Sequence, residues 1–187
     1  MDKIINLIAK LLTCLIINKK IRKLYRIKLL SKWYGRQIYK NAKSIGKNLS
    51  VRAYSCVNKD TILGDNVNFN GLQIHGAGKV SIGNHFYSGV ECLIITSNHN
   101  YEGDKIPYDE TYIYKDIEIG DFVWLGSRVM ILPGTKIGEG AIIQGGAVVH
   151  GEIPPYAIAG GNPAKVFKYR DIEHFKRLKK EGKFLEN

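Results

Sequence analysis

Aliphatic residues return every six positions through most of this chain. Ile45, Val51, Val57, Leu63 and Phe69 are spaced six apart, and so are Ile119, Leu125, Ile131, Ile137, Ile143 and Val149. Ile82, Ser88 and Ile94 keep the period more loosely between the two runs. The next residue is often glycine, at Gly46, Gly64, Gly83, Gly120, Gly126 and Gly138, and Asp65, Asn84 and Asp121 follow three of these. Six is not a helical period, and it is too regular for ordinary hairpins. A hexapeptide repeat predicts a parallel β-helix, in which three hexads form one triangular coil of about 18 residues. The aliphatic points into the prism, and the Gly-Asp/Asn pair takes the corner, where glycine tolerates unusual backbone angles. Stacked coils then bury a continuous apolar core.

The repeat breaks twice. Gly71 to Ser81 interrupts it mildly, and Asn98 to Glu118 is a long polar excursion carrying His99, Tyr101, Tyr108, Tyr112 and Tyr114. A loop longer than about 12–15 residues in a compact domain is usually functional or disordered, and the tyrosines predict that this one packs on something. The chain is expected to leave the solenoid at Ile153-Pro154-Pro155. Asp171 to Lys180 reads as a short helix capped by Asp171, with Ile172, Phe175 and Leu178 on one face.

Ahead of the repeat, Ile4 to Ile17 is a nearly unbroken apolar run, interrupted by Asn6, Lys10 and Thr13 at helical spacing. As a helix it would be about 21 Å long against a hydrocarbon core of about 30 Å, too short to span. Asp2 and the lack of a small-x-small site argue against a signal peptide. The organisation is therefore a helical arm over 1–43, a solenoid over 44–170 with an inserted loop at about 98–118, and a C-terminal helix and tail over 171–187.

Charge separates the arm from the rest. The chain has 187 residues and a formal net charge of +11. Residues 1–43 hold 12 Lys/Arg and one acid, while 44–187 hold 16 of each sign, so the body is neutral. A basic chain usually raises nucleic-acid binding, but a neutral body gives it no surface, and no nucleic-acid partner is expected. In the arm, Lys19, Lys20, Arg22, Lys23, Arg26, Lys28 and Lys32 alternate with apolar and aromatic residues. That pattern fits an interfacial helix on an anionic leaflet, with membrane contact through residues 1–40. It also fits an arm packed on the body or on a sister subunit, with a solvated basic face. Cys14, Cys56 and Cys92 are too few for a disulfide framework or a Cys-based zinc site. They suit a reducing compartment as small buried hydrophobes, so a cytoplasmic protein is expected, peripheral at the inner membrane face if the arm binds there.

Four segments carry a family resemblance: Ile119-Gly120-Asp121-Phe122-Val123-Trp124-Leu125-Gly126-Ser127, then Ile131-Leu132-Pro133-Gly134, then Ile153-Pro154-Pro155-Tyr156, then Gly160-Gly161-Asn162-Pro163-Ala164-Lys165. Together with the repeat they resemble the hexapeptide-repeat acyltransferases, in the branch of maltose, galactoside, xenobiotic and polysaccharide O-acetyltransferases. The resemblance covers about residues 45–170. It implies an all-β, left-handed parallel β-helix, a homotrimer, and acetyl-CoA bound in a groove between neighbouring subunits. It implies O-acetylation of a sugar hydroxyl without a covalent enzyme intermediate. The Arg170-Asp171-Ile172-Glu173-His174-Phe175 segment and the basic arm look more like members acting in surface or capsular polysaccharide biosynthesis.

Acyl transfer from a thioester to an alcohol needs a base for the hydroxyl, donors for the oxyanion and a proton for the leaving thiolate. The family's catalytic histidine falls on His99, whose ordinary pKa of about 6.5 suits taking and returning a proton. By resemblance, a backbone N–H at the Gly126-Ser127 corner is the oxyanion donor and Trp124 walls the site near His99. What orients His99 is open between a backbone carbonyl, Glu102 and Asp104. The pantetheine arm would run along Gly145, Gly146 and Ala147, with Asn162 and Pro163 bordering the adenine end, although those glycines could equally serve only to turn corners. Lys165, Lys168 and Arg170 could pair with CoA phosphates or be ordinary solvated side chains. His75, His85 and Tyr87 could touch the acceptor, and the two histidines could equally be packed corner residues.

No metal is expected. The zinc-dependent carbonic anhydrases share such solenoids, but His75, His85, His99 and His150 lack their close histidine pair. The remaining alternatives are an N-acyltransferase acting on an amino sugar and a non-catalytic, membrane-associated scaffold.

Overall fold

The computed structural model of the protein describes residues 2–13 and 19–185. Cys14 and the end of the apolar run, Leu15 to Ile17, lie outside them. The body is a parallel β-helix, and the six-residue period sorts its aliphatics into three vertical columns. Ile45, Leu63, Ile82, Ile119, Ile137 and Ile153 stand in register on a six-stranded face. Val51 and Phe69, then Ser88, Leu125, Ile143 and Ala159, line a seven-stranded face. Ile74, Ile94, Ile131 and Val149 line a four-stranded one. Nearly all of these side chains are buried in one continuous core. Each hexad thus contributes one strand, and every third hexad returns to the same face.

The corner glycines are there for a reason other than backbone angle. None of Gly46, Gly64, Gly83, Gly120, Gly126 or Gly138 has a positive φ. A Cβ on Gly46 would instead lie 2.6 Å from the Gly64 carbonyl carbon, and one on Gly83 2.7 Å from that of Gly120. Glycine is required because the next coil's backbone passes where a side chain would be. The left-handed residue comes two positions later, and it is Asn48, Asn66, His85, Phe122, Arg128 or Gly140. The Asp and Asn behind the glycines tie coils together. The Lys47 N–H donates to Asp65 Oδ1 (2.7 Å), the Asp65 N–H to Asn84 Oδ1 (2.8 Å) and the Asn84 N–H to Asp121 Oδ1 (2.7 Å).

The excursion is an ordered hairpin. Ser97–His99 pairs antiparallel with Tyr112–Tyr114. It ends two residues earlier than the polarity of the sequence suggests, because Ile117 is already buried and pairs with Val80. The chain does not leave the solenoid at Pro155. Ala157–Gly161 adds another parallel strand beside Ile142–Ile143, and Ala164–Tyr169 folds back antiparallel on it. Among the described residues there are three helices: α1 (Asp2–Thr13), α2 (Lys19–Asn41) and α3 (Ile172–Lys180). Asp171 caps α3 by accepting from the His174 N–H at 2.9 Å, and Ile172, Phe175 and Leu178 form its half-buried face. Helix α2 seats Tyr34 and Ile38 against the first coil, where Ser31 Oγ accepts from the Val51 N–H at 3.2 Å. Helix α1 lies on α2 and buries Ile5 and Ala9. Among the described residues no helix is long and apolar enough to cross a membrane.

Candidate active site

His99 ends the first strand of the hairpin, three residues beyond the fully buried Thr96. Thr96 anchors the hairpin base by donating its backbone N–H and its hydroxyl to the His75 carbonyl, each at 3.0 Å. Beyond the ladder, the Asn100 N–H donates to the Thr111 carbonyl at 3.0 Å, and Asn100 Nδ2 to Thr111 Oγ1 at 3.1 Å. Asp109 closes the tip. Its Oδ1 accepts from the Thr111 hydroxyl (2.6 Å) and N–H (2.8 Å), and these bonds hold its carboxyl below the usual carboxylate range.

The His99 imidazole itself is exposed and stacks on the Tyr108 ring, 4.0 Å between centroids and 17° between planes, and on Tyr112 at 4.5 Å. Stacking therefore fixes the ring, in place of the carbonyl or the acids Glu102 and Asp104 weighed from sequence. The abundance of tyrosine in the excursion was the signal for this packing, although it did not identify Tyr108 and Tyr112 as His99's partners. His75 sits one coil below the hairpin base, exposed, with Nε2 3.2 Å from Gln73 Oε1. It shares His99's edge of the prism.

Trp124 and Ser127 lie elsewhere in the chain. Trp124 is half-exposed on the seven-stranded face, in register between Tyr87 and Ile142. It lines a cavity of about 530 Å³ with His85, Tyr87, Arg170 and the C-terminal Phe184 and Leu185. Tyr87 donates its hydroxyl to the Leu185 carbonyl at 2.8 Å, which ties the tail across this cavity. His85 is a packed corner residue: its φ is 53°, its ring stacks on Phe122 at 4.7 Å, and its Nδ1 is buried without a partner. Arg170 is half-buried beneath Phe175, 5.4 Å from the ring centroid, and burial pulls its pKa down. It faces this cavity, which neither Lys165 nor Lys168 lines.

Gly126 and Ser127 form the corner between the seven- and four-stranded faces. The Gly126 N–H is committed to the Ile143 carbonyl at 2.7 Å, whereas the Ser127 N–H has no partner among the described residues. Of the two corner donors, only Ser127 is available. Gly145 and Gly146 are exposed above it, and a Cβ on Gly146 would meet nothing within 4 Å. Space is therefore open beside Gly146 at the corner. Ala147 does not line it, because it is fully buried in the core. Asn162 and Pro163 form the exposed turn of the C-terminal hairpin, and Lys165 and Lys168 are exposed on its second strand. Cys92 is buried, its thiol pushed up by burial, while Cys56 is only half-buried.

The predicted residues thus divide between two regions of one chain. His99 and His75 stand at the hairpin edge, between the four- and six-stranded faces, while Trp124 and Tyr87 stand on the seven-stranded face, His85 at its corner with the six-stranded face and Ser127 at its corner with the four-stranded one. The ring contacts of His99 are with Tyr108 and Tyr112, and the cavity beside Trp124 is not lined by His99.

Comparison with known proteins bears on this arrangement. Residues 116–151 match the family model described as bacterial transferase hexapeptide, six repeats. A probable acetyltransferase of Mycobacterium tuberculosis is 37% identical over 94 residues, 50% of this chain and 31% of that one. A chloramphenicol acetyltransferase of Escherichia coli is 53% identical over 58 residues, 31% of this chain and 28% of that one. The aligned segments thus span less than a third of either relative. A galactoside acetyltransferase solved in complex with coenzyme A superposes with a TM-score of 0.63 at 24% identity, over 91% of this chain and 83% of that one. Residues 116–151 thus match bacterial transferase hexapeptide repeats, and the chain around them shares the solenoid fold of that galactoside acetyltransferase.

Proposed function

We propose that the protein is an acetyl-CoA-dependent O-acetyltransferase that modifies a sugar hydroxyl, with His99 as its general base. The observation that carries this reading is the imidazole of His99, held by tyrosine stacking on an ordered hairpin and open to solvent at the edge of a hexapeptide solenoid. A side chain so presented can reach a bound acceptor, and a histidine can both take and return a proton near neutral pH. His99 removes the acceptor's hydroxyl proton as its oxygen bonds to the acyl carbon. The carbon–sulfur bond breaks, and His99 returns the proton to the departing sulfur, leaving an ester and a free thiol. The uncommitted Ser127 N–H offers a donor to charge developing on the acyl oxygen, a contribution of about 3–4 kcal/mol in comparable sites.

Because His99 and Ser127 lie on different edges of one chain, a complete site takes His99 from one copy and Trp124 and Ser127 from a neighbouring copy. A homotrimer is the assembly proposed. The open space beside Gly146 could take a slim chain such as the pantetheine arm of coenzyme A, and exposed Lys165 and Lys168 fit the cofactor's phosphates. A maltose O-acetyltransferase from Clostridium difficile shares the fold with a TM-score of 0.55 at 22% identity, over 90% of this chain and 86% of that one. With the galactoside enzyme, it supports a carbohydrate acceptor. The terminal segment and basic arm support a polymer-forming context, as in surface or capsular polysaccharide.

The test is free-thiol release from acetyl-CoA across a panel of sugars, glycans and amino sugars. Some hydroxyl acceptor should give release that His99→Ala lowers by about 10²-fold or more. Release with amino sugars alone would replace ester formation by amide formation, and absence of acetyl-CoA binding would overturn the reading.

A further inference from the structure

The contacts of the arm account for only one side of α1. Ile5 and Ala9 are buried, whereas Ile4, Leu7, Ile8 and Leu11 are 64%, 57%, 50% and 62% exposed. Those four are spaced i, i+3, i+4 and i+7, so they form one continuous apolar stripe along the helix. Lys3 and Lys10, both exposed, lie along one edge of that stripe in helical projection. A contiguous exposed aliphatic surface marks a docking face. We propose that this stripe docks on an anionic phospholipid bilayer, with α1 lying in the interface parallel to the membrane plane.

Charge selects the occupant. Residues 1–43 carry 12 Lys/Arg against the single acid Asp2, while the remaining 144 residues balance 16 against 16. A second copy docked through the same stripe would bring an equally basic arm to the same place, where like charges within a Debye length of about 8 Å repel. An anionic leaflet attracts every one of those cations. Along α2, the described side chains of Lys28, Lys32 and Arg36 are exposed and continue the basic character. Length selects the mode. The 12 residues of α1 extend about 18 Å, well short of the roughly 30 Å hydrocarbon core, so the helix lies on the bilayer. Its aliphatic stripe and flanking lysines are the two signals that stable interfacial binding requires. This inference stands apart from the acetyl-transfer reading, since it uses no residue of the candidate site.

The experiment is vesicle flotation of the full chain. Wild type is compared with the Leu7→Glu/Leu11→Glu double variant, on vesicles of phosphatidylcholine alone and of phosphatidylcholine mixed equally with phosphatidylglycerol. Both substituted side chains already face solvent, and circular dichroism checks that the fold is kept. If the double variant is poorly folded, Leu11→Glu alone takes its place. Wild type should float with the anionic vesicles and bind the neutral ones at least about tenfold more weakly. The charged variant should lose at least about tenfold of the anionic binding, with no change in mass by sedimentation. Equal flotation of wild type and variant, or no flotation of wild type, would overturn the proposal. So would a fall in oligomer mass in the variant with vesicle binding unchanged, which would assign the stripe to a second copy.

Discussion

In the solenoid, nearly every inward side chain has a counterpart one coil above and one below. In the arm, α1 buries Ile5 and Ala9 and leaves four aliphatics in solvent. The body is electrically balanced, and the arm holds the whole excess of positive charge. The difference follows from how each part is stabilised. Stacked coils support one another through nearest-neighbour contacts, so their sequence must repeat. The arm is anchored by a few residues of α2, chiefly Tyr34 and Ile38, so the rest of it is free of the repeat. The residues proposed for chemistry thus belong to the part packed on every side, and those proposed for membrane docking to a helix buried on one side only.

The largest expected effect that would sharpen this contrast is catalytic. His99→Ala should lower acetyl transfer by about 10²-fold or more, yet leave vesicle flotation unchanged and cost no more stability than the roughly 0.5–1.5 kcal/mol of each lost ring stack, because the ring is exposed. A larger loss of stability would make His99 a structural residue.

Next comes a pair of core truncations. Leu125→Ala, in the middle of an aliphatic column, should cost about 2–5 kcal/mol in denaturant unfolding of the whole body. Ile38→Ala, equally buried at the seam, should release α1 and α2 to amide exchange while the coils stay protected. A single cooperative loss in both variants would show that arm and body are one folding unit and would break the comparison.

A smaller effect concerns the rings that hold the base. Tyr108→Ala removes a stacked pair worth roughly 0.5–1.5 kcal/mol, so kcat/KM should fall about 2–10-fold with the pH profile retained. No change would mean that Tyr108 does not position His99.

The smallest effect is a pH response confined to the hairpin tip. Asp109 has its carboxyl held down by the Thr111 hydroxyl and N–H. Its contribution is present above the ordinary Asp pKa of about 3.9 and is lost as the pH falls through the depressed folded value. The Thr111 amide resonance should shift only in that acid range, and titration near neutral pH would contradict the assignment.

Much of this was legible in one dimension. The six-residue period identified one inward residue per strand, and the position two before it, as at Val67, Val80, Ile117 and Val123, is buried as well because alternate side chains of a strand share a face. The terminal helix, its Asp171 cap and its apolar face were equally local features. The corner glycines were legible as corners, but the reason given for them was wrong. Backbone angle is a property of one residue, whereas the clash that excludes a Cβ at Gly46 or Gly83 comes from a coil 18 or 37 residues further on. The end of the excursion and the return strand Ala164–Tyr169 were missed for a similar reason. Polarity and proline marked a departure from the pattern, while strand pairing decided where the chain rejoined it.

The sequence by itself determined the solenoid, the division of charge between arm and body, and His99 as the histidine to test, since each is written in spacing, composition or motif. Only the tertiary structure decided that stacked tyrosines hold that histidine and that Ala147 is core. It also separated Trp124 and Ser127 from His99 by a face of the prism, and it split the apolar run of α1 into a buried side and an exposed one. Those outcomes depend on which residues meet across coils and helices, and a linear pattern does not encode that distance.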